Sequence, residues 1–461
     1  MNAINRLQEA VKAIKTRFLT RSKPEAAHPL LAQEGLPSSG DKSRSTRDVP
    51  PALTSTAAER VGALLRTALQ SVQAHRLDLR ERSELLATTL RESERFGMEA
   101  AAELVLPNEG NPVKSARMES VADADSAILR WVQEETARMN RNNVTRTYAY
   151  QRIYSRHPEL HWAFLAHMVS RNSGWNMTDL KGDLVPKLIG NRQSEALYLM
   201  LERANALIFQ DAYPQLLLYQ EGKRRGRRLT FLLERLPVST FMPPLWDDFA
   251  ETGDPVPLAI GLIINEQNYI QGRVVENPLF VKSVLEQPFF HAESLLHVNQ
   301  VLFPYLTNAE NKVRLAGITL EDFPDLNERI RFGRKLYALL FGIATVHAGC
   351  RSFADKVPHT GSRADYWPKL FSPTKQKPPS RGEMEVSGAD SLWYSPTLAA
   401  AWPNRPVEPA VPADWFRDMS PLKHFSALKP PASWIMDREH LNLLKAQEAA
   451  LLAKTWSKPL A

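Results

Sequence analysis

Apolar stretches with polar side chains in their middle constrain this chain more than any other feature. In "HPELHWAFLAHMVSRNSGWNMTDLKGDL", His157 to Leu184, three histidines and two asparagines sit among Trp, Phe, Leu and Met residues. "PLAIGLIINEQNYIQGRVV" begins apolar and turns abruptly into Asn265, Glu266, Gln267, Asn268 and Tyr269. "ERANALIFQDAYPQLLLY" holds Asn205 inside an apolar run and puts Asp211 and Tyr213 just before Pro214. "HAESLLHVNQVLFPY" spaces Glu293 and His297 four apart, which is one helical face. "PHTGSRADYWP" gathers His359, Arg363 and Asp365 into a loop. A buried polar group left without a partner costs about 1–3 kcal/mol. Helices that share one core must therefore let these groups meet, and a common polar centre is also the form of a ligand pocket.

The punctuation is helical. Asp254-Pro255 and Asn277-Pro278 each read as an N-cap followed by proline in the first turn, and His157-Pro158 repeats the device less typically. "PDLNERIRFGRKLYALLFGIATVHAG" has an acidic start and an apolar interior, which predicts one long buried helix. No stretch alternates with period two between turn signals, so little or no sheet is expected. Wound from Pro158 at about 100° per residue, His161 falls on the apolar arc with Phe164, Leu165 and Met168. His167 falls on the polar edge with Glu159, Ser170 and Arg171, and Gly174 reads as the terminating glycine. The expected fold is mainly α, a large multi-helix body with an extended C-terminal arm.

Four segments are expected. Residues 1–21 place Ile4, Leu7, Val11, Ile14 and Phe18 on one helical stripe, with Lys12, Lys15 and Arg17 around it. Residues 22–55 are rich in Pro, Ser and charge and read as a flexible linker. Residues 56–371 form the helical body. Residues 372–461 hold twelve of the 33 prolines and five of the ten tryptophans, too many aromatics for a disordered tail. "PNRPVEPAVP" repeats proline every third residue, as a polyproline strut does, and Asp437 to Lys454 reads as a final helix.

Net charge is +7, but the excess is confined to the first segment and to "GKRRGRRL", with Lys223, Arg224, Arg225, Arg227 and Arg228. A chain built to track phosphates spreads its cations along a face, which argues against nucleic acid. The basic helix suits an anionic membrane surface or a protein partner, and "GKRRGRRL" reads most simply as an exposed loop, with phosphate or lipid-headgroup contact as the alternative. The single cysteine, Cys350, fits a reducing compartment and reads as a small buried hydrophobe. The N-terminus lacks a signal-peptide pattern, and the longest apolar runs fall short of the roughly 20 residues of a membrane span. The expected setting is the cytoplasm, with peripheral contact to the inner face of the membrane as an option.

There is no P-loop, no dinucleotide-binding glycine motif and no nucleophile elbow. "HPELH" lacks the glutamate directly after the first histidine that a zinc-protease helix carries, and Glu293 with His297 matches a carboxylate-metal bundle only loosely. No metal or cofactor is assigned. The leading reading is a non-catalytic binding or scaffold protein with a polar internal pocket, its partner an unknown protein or small polar ligand. Its expected lining is Asn172, Asn176, Asn205, Tyr213, Asn265, Asn268, Tyr269, His359, Arg363 and Asp365. The rival is a hydrolase with His161 or His297 as general base, oriented by Glu266 or Asp211.

"HWAFLAHMVSRNSGWNMTDLKGDL", "ANALIFQDAYPQLLLY" and "HTGSRADYWPKLF" resemble an uncharacterised bacterial family, domain of unknown function 2515, found mainly in spore-forming Gram-positive bacteria. The resemblance covers about Asn140 to Phe371 and extends toward the proline-rich arm. It implies a bacterial cytoplasmic setting and carries no activity onto particular residues.

Overall fold

Where capping chemistry is strong, it sets the helix boundaries. The Asp254 side chain accepts from the Val256 N–H at 2.9 Å, and Pro255 opens a helix that runs to Ile270. Asn142 and Thr145 close a reciprocal capping box, which starts the helix Asn143–Arg156. Asn277 likewise accepts from the Leu279 N–H at 3.0 Å, though the helical segment it opens is short.

The computed structural model describes residues 112–183, 185–287, 290, 300–307, 313–375, 392–409, 413–426, 428 and 431. The N-terminal helix with Lys12, Lys15 and Arg17, the linker, Glu293, His297, Trp434 and the final helix lie outside the described residues.

Eight principal helices follow: α1 (Pro112–Met139), α2 (Asn143–Arg156), α3 (His161–Asp179), α4 (Asn191–Arg225), α5 (Pro243–Thr252), α6 (Pro255–Ile270), α7 (Leu326–Gly342) and α8 (Ala344–Lys356). Between α6 and α7 lies an antiparallel hairpin of β1 (Gln300–Leu306) and β2 (Val313–Thr319), with Phe303 opposite Ala316. Two-residue strands at Phe371–Ser372 and Trp393–Tyr394 pair in parallel. The protein is mainly α. No single described helix is long and apolar enough to cross a membrane.

Helix α3 is the hub, packed against α2, α4, α6, α7 and β1. It buries fourteen of its nineteen residues, with Trp162, Phe164, Met168 and Trp175 almost fully enclosed. A helix buried on all sides has no solvent edge, and the helical-wheel expectation for its histidines is reversed for that reason. His167 is fully buried and pairs through Nδ1 with the Thr147 carbonyl at 2.9 Å. His161 is only half-buried at the first turn. The helix also begins after, not at, Pro158, and runs through Gly174 to Asp179. Gly174 serves close packing: a Cβ there would lie 2.4 Å from His359 Nε2 and 2.7 Å from Asn143 Oδ1.

The expected long helix from residue 325 is two helices. Ile343 adopts extended backbone (φ −120°, ψ 100°), and α8 leaves α7 at 89°. A straight continuation would carry Val346, Cys350 and Phe353, all fully buried, beyond the core; the break lays α8 against β1 instead.

The arm lies on this body through its aromatics. Trp402 stacks on Tyr198 with ring centroids 3.9 Å apart and donates from Nε1 to the Met177 carbonyl at 2.8 Å. Trp415 donates to Asn265 Oδ1 at 2.8 Å, and Asp414 accepts from the Ser239 and Thr240 hydroxyls at 2.6 Å each. Such anchors fit amphipathic rings, which bury a large face and satisfy one polar atom.

Candidate functional site

Four helical stripes converge on one internal space. From α3 come Trp162, Leu165, Val169, Ser173 and Asn176; from α4, Leu197, Leu201, Asn205 and Ile208. Glu266, Gln267 and Ile270 enter from α6, and Arg329, Phe332 and Leu336 from α7, with Gln300 and Val301 of β1 beside them. The spacings are the i, i+3, i+4 of single helix faces. Gly333 lets α6 and α7 approach at this level, since a Cβ there would lie 2.7 Å from Ile263 Cγ2. The cavity measures about 230 Å³. A cavity of ~150 Å³ admits benzene, so this one has room for roughly nine or ten non-hydrogen atoms.

Most of the wall is apolar, but a polar chain crosses it. Trp162 Nε1 and Gln267 Nε2 each donate to a Glu266 carboxyl oxygen at 3.2 Å. Gln267 Oε1 accepts from Arg329 Nε at 2.9 Å, which fixes the amide orientation: its oxygen must face the guanidinium. Arg329 Nη1 donates to the carbonyls of Phe323 at 2.6 Å and Pro324 at 3.1 Å, and Nη2 donates to Gln271 Oε1. No carboxylate forms an ion pair with Arg329 among the described residues. Burial lowers its pKa to about 10, still far above neutrality.

Glu266 is half-buried by surface area, and it lines the cavity while sitting deep in the protein. Burial pushes its carboxyl up to about 8, and Asp211 pushes the same way; the Gln267 and Trp162 donors only partly offset this. At neutral pH Glu266 is therefore mainly a neutral acid, able to donate an O–H. Both of its protein partners are donors, so the proton finds no acceptor among them.

The other expected site residues fall into separate networks. Asn172 lines the cavity and also clamps β1, donating to the Gln300 carbonyl and accepting from the Leu302 N–H, each at 3.0 Å. Asn205 and Asn176 line the cavity; Asn205 also bonds back to the Leu201 carbonyl at 2.8 Å. Asp211 instead accepts from Gln215 and Asn265 in a cluster beneath Trp415. Asn268 bonds back to the Ile264 carbonyl, Tyr269 lies under Arg273, and Tyr213 stacks on Phe209. His359 pairs with Asn143 Oδ1 at 3.1 Å and approaches Asp365 at 3.4 Å, while Arg363 grips both Asp179 oxygens at 2.6–2.9 Å. That group staples the 359–365 loop to α2 and α3. The expected single polar centre is thus distributed, because most of these groups are satisfied locally.

Among the described residues the hydrolase pairing of His161 with Glu266 or Asp211 does not form; His297, the other expected base, lies outside them. His161 Nδ1 meets the Tyr337 hydroxyl at 2.9 Å and its ring stacks on Phe341, whereas the partners of Glu266 and Asp211 include no imidazole. Among the described residues no group of three or more His, Cys, Asp or Glu side chains could hold a metal ion. The basic stretch is exposed as expected, but only its second half, from Gly226, is loop. Lys223, Arg224 and Arg225 form the last turn of α4 before Gly226, where cations suit the helix dipole. Lys223 pairs with Glu159, Arg224 and Arg225 with Glu221, Arg227 with Asp125, and Arg228 with Glu251 at 3.7 Å. Cys350 is fully buried, and burial pushes its thiol up.

Trp162, Gln267 and Arg329 were not expected at the site. Arg329 had a readable signal: it heads the i, i+3, i+4, i+7 stripe of Phe332, Gly333 and Leu336, a charge on an otherwise apolar face.

Residues 138–443 match the model of a family described as "Protein of unknown function (DUF2515)". The chain belongs to the DUF2515 family. The matched range contains every residue that lines the cavity. A relative, "Uncharacterized protein YppC" of Bacillus subtilis (strain 168), is 42% identical over 252 residues, covering 55% of this chain and 77% of the relative. No solved structure matches the chain.

Proposed function

We propose that this chain is a small-molecule binding protein whose ligand occupies the space between α3, α4, α6 and α7. One observation carries the reading: a cavity of about 230 Å³ between the helices, with apolar walls and one hydrogen-bonded polar chain, Trp162–Glu266–Gln267–Arg329. Small-molecule sites combine an apolar lining with a few placed polar groups. Binding is favoured over hydrolysis because Glu266, the strongly perturbed acid of the described lining, has tryptophan and glutamine partners and, among the described residues, no imidazole or nucleophile bonded to it.

The test is titration calorimetry with 1-octanol, a neutral probe matched in size. Wild type is expected to bind it, and Ala204→Phe, which fills the cavity from α4, is expected to lose binding while keeping its circular dichroism. Equal binding by the filled variant, or no binding of either 1-octanol or octanoate by wild type, overturns the reading.

A further inference from the structure

We infer that the ligand is an amphiphilic monoanion, an unbranched carboxylate of short-chain fatty-acid type, with its head at Glu266 and Arg329 and its hydrocarbon body along α4. The inference rests on the binding function proposed above and names the ligand class of the same cavity.

Shape comes first. The α4 residues of the lining run from Leu197 to Ile208, about 16 Å along the helix at 1.5 Å per residue. A volume of about 230 Å³ spread over such a length makes a slender space, suited to a flexible chain more than to a fused ring system. The body of that chain would lie against Leu165, Val169, Met200 and Leu201.

Charge comes second. Each element around the Glu266 carboxyl contributes something different. Trp162 of α3 donates to it, Tyr150 of α2 lines the cavity beside it, and Asp211 of α4 opposes its ionisation. Arg329 of α7 reaches it through Gln267. The other charges in the lining are paired: Arg146 with Glu202 at 2.6 Å, and Asp179 with Arg363. Asp325, Glu276 and Asp322 act on the Arg329 guanidinium from outside the lining and favour its charged form, but none pairs with it; with Glu266 neutral it is the charge in the described lining without an ion-pair partner, so the cavity favours a negative charge. The Glu266 O–H would donate to the ligand carboxylate, a short charge-assisted hydrogen bond of the strong kind. A neutral alcohol can accept that bond but gains nothing from the cation.

This arrangement makes binding pH-dependent in one direction. A fatty carboxylate stays ionised at every pH above about 6. Asp211, outside the cavity, ionises near pH 7 and holds the Glu266 proton more tightly; Glu266 loses it as pH rises through about 8, and two carboxylates would then face each other.

The experiment is calorimetric titration of octanoate and of 1-octanol at pH 7 and pH 9, on wild type, Glu266→Gln and Arg329→Gln. Octanoate is expected to bind wild type at least tenfold more tightly than octanol at pH 7. At pH 9 its affinity should fall by about tenfold while that of octanol stays level. Glu266→Gln should abolish the pH step, and Arg329→Gln should bring the two affinities together. If Arg329→Gln does not fold, the wild-type comparison decides alone. Octanol binding as tightly as octanoate at pH 7 overturns the anionic ligand but leaves the binding cavity standing. Failure of both probes overturns both.

Discussion

Gly174→Ala should destabilise the protein although it replaces glycine by alanine in mid-helix. On propensity alone the change gains about 1 kcal/mol. Here the new methyl would lie 2.4 Å from His359 Nε2, 2.8 Å from His359 Cε1 and 2.7 Å from Asn143 Oδ1. Ordinary contact begins near 3.4 Å, so the ring must retreat by about 1 Å. It cannot do so freely, because it is pinned between Asn143 at 3.1 Å and Asp365 at 3.4 Å. Overpacking of this kind costs about 1–3 kcal/mol. The broken bond strands a buried amide oxygen and a ring nitrogen, for about 1–3 kcal/mol more. Less the propensity gain, the net loss is about 1–5 kcal/mol. Urea denaturation measures it, with Gly272→Ala as the control. Gly272 is exposed, and the one atom near its missing Cβ is Glu276 Oε2 at 3.9 Å, so the control should change by less than ~1 kcal/mol. A Gly174→Ala protein as stable as wild type would show that the α2–α3–His359 junction is not packed as described.

Other consequences are as specific. Burial raises the Asp211 carboxyl from its ordinary 3.8 to about 7, so the stability tied to its neutral form is complete below pH 3.8 and lost as pH rises through 7. That difference corresponds to about 4 kcal/mol, and Asp211→Asn should flatten the stability–pH curve between pH 4 and 7 and be the more stable protein at pH 8, as read by urea midpoints. Arg146→Met should cost about 3–5 kcal/mol by leaving Glu202 buried without its partner, a loss that a thermal melt detects. Trp402→Ala removes the stack on Tyr198 and the bond to Met177, and limited proteolysis should then cut within 392–409 faster than in wild type.

Local chemistry made parts of this molecule legible. Asp254 and Asn277 announced their helical segments because a cap is a contact between near neighbours. Glu266, Asn172, Asn176 and Asn205 stood out as polar groups on apolar faces, and all four line the cavity. What was illegible depends on the third dimension. The roles of His161 and His167 exchanged because α3 is enclosed on every side, which a helical wheel cannot represent. Asp211 and Asn265 were as conspicuous as Glu266, yet they bond to Gln215 and Trp415 away from the cavity. The hairpin at Gln300–Thr319 carries no alternating pattern because β1 is buried on both faces over most of its length. The break at Ile343 follows from where α8 must pack, which its own residues do not announce.

The most direct measurement is a crystal structure of the chain grown with 8-bromooctanoate, with the bromine located by its anomalous signal. The account predicts a bromine peak inside the cavity, toward Leu180 and Leu197, with the carboxylate within hydrogen-bonding distance of Glu266. Bromine only at the surface, for instance in the groove beside Lys223 and Trp246, would contradict it.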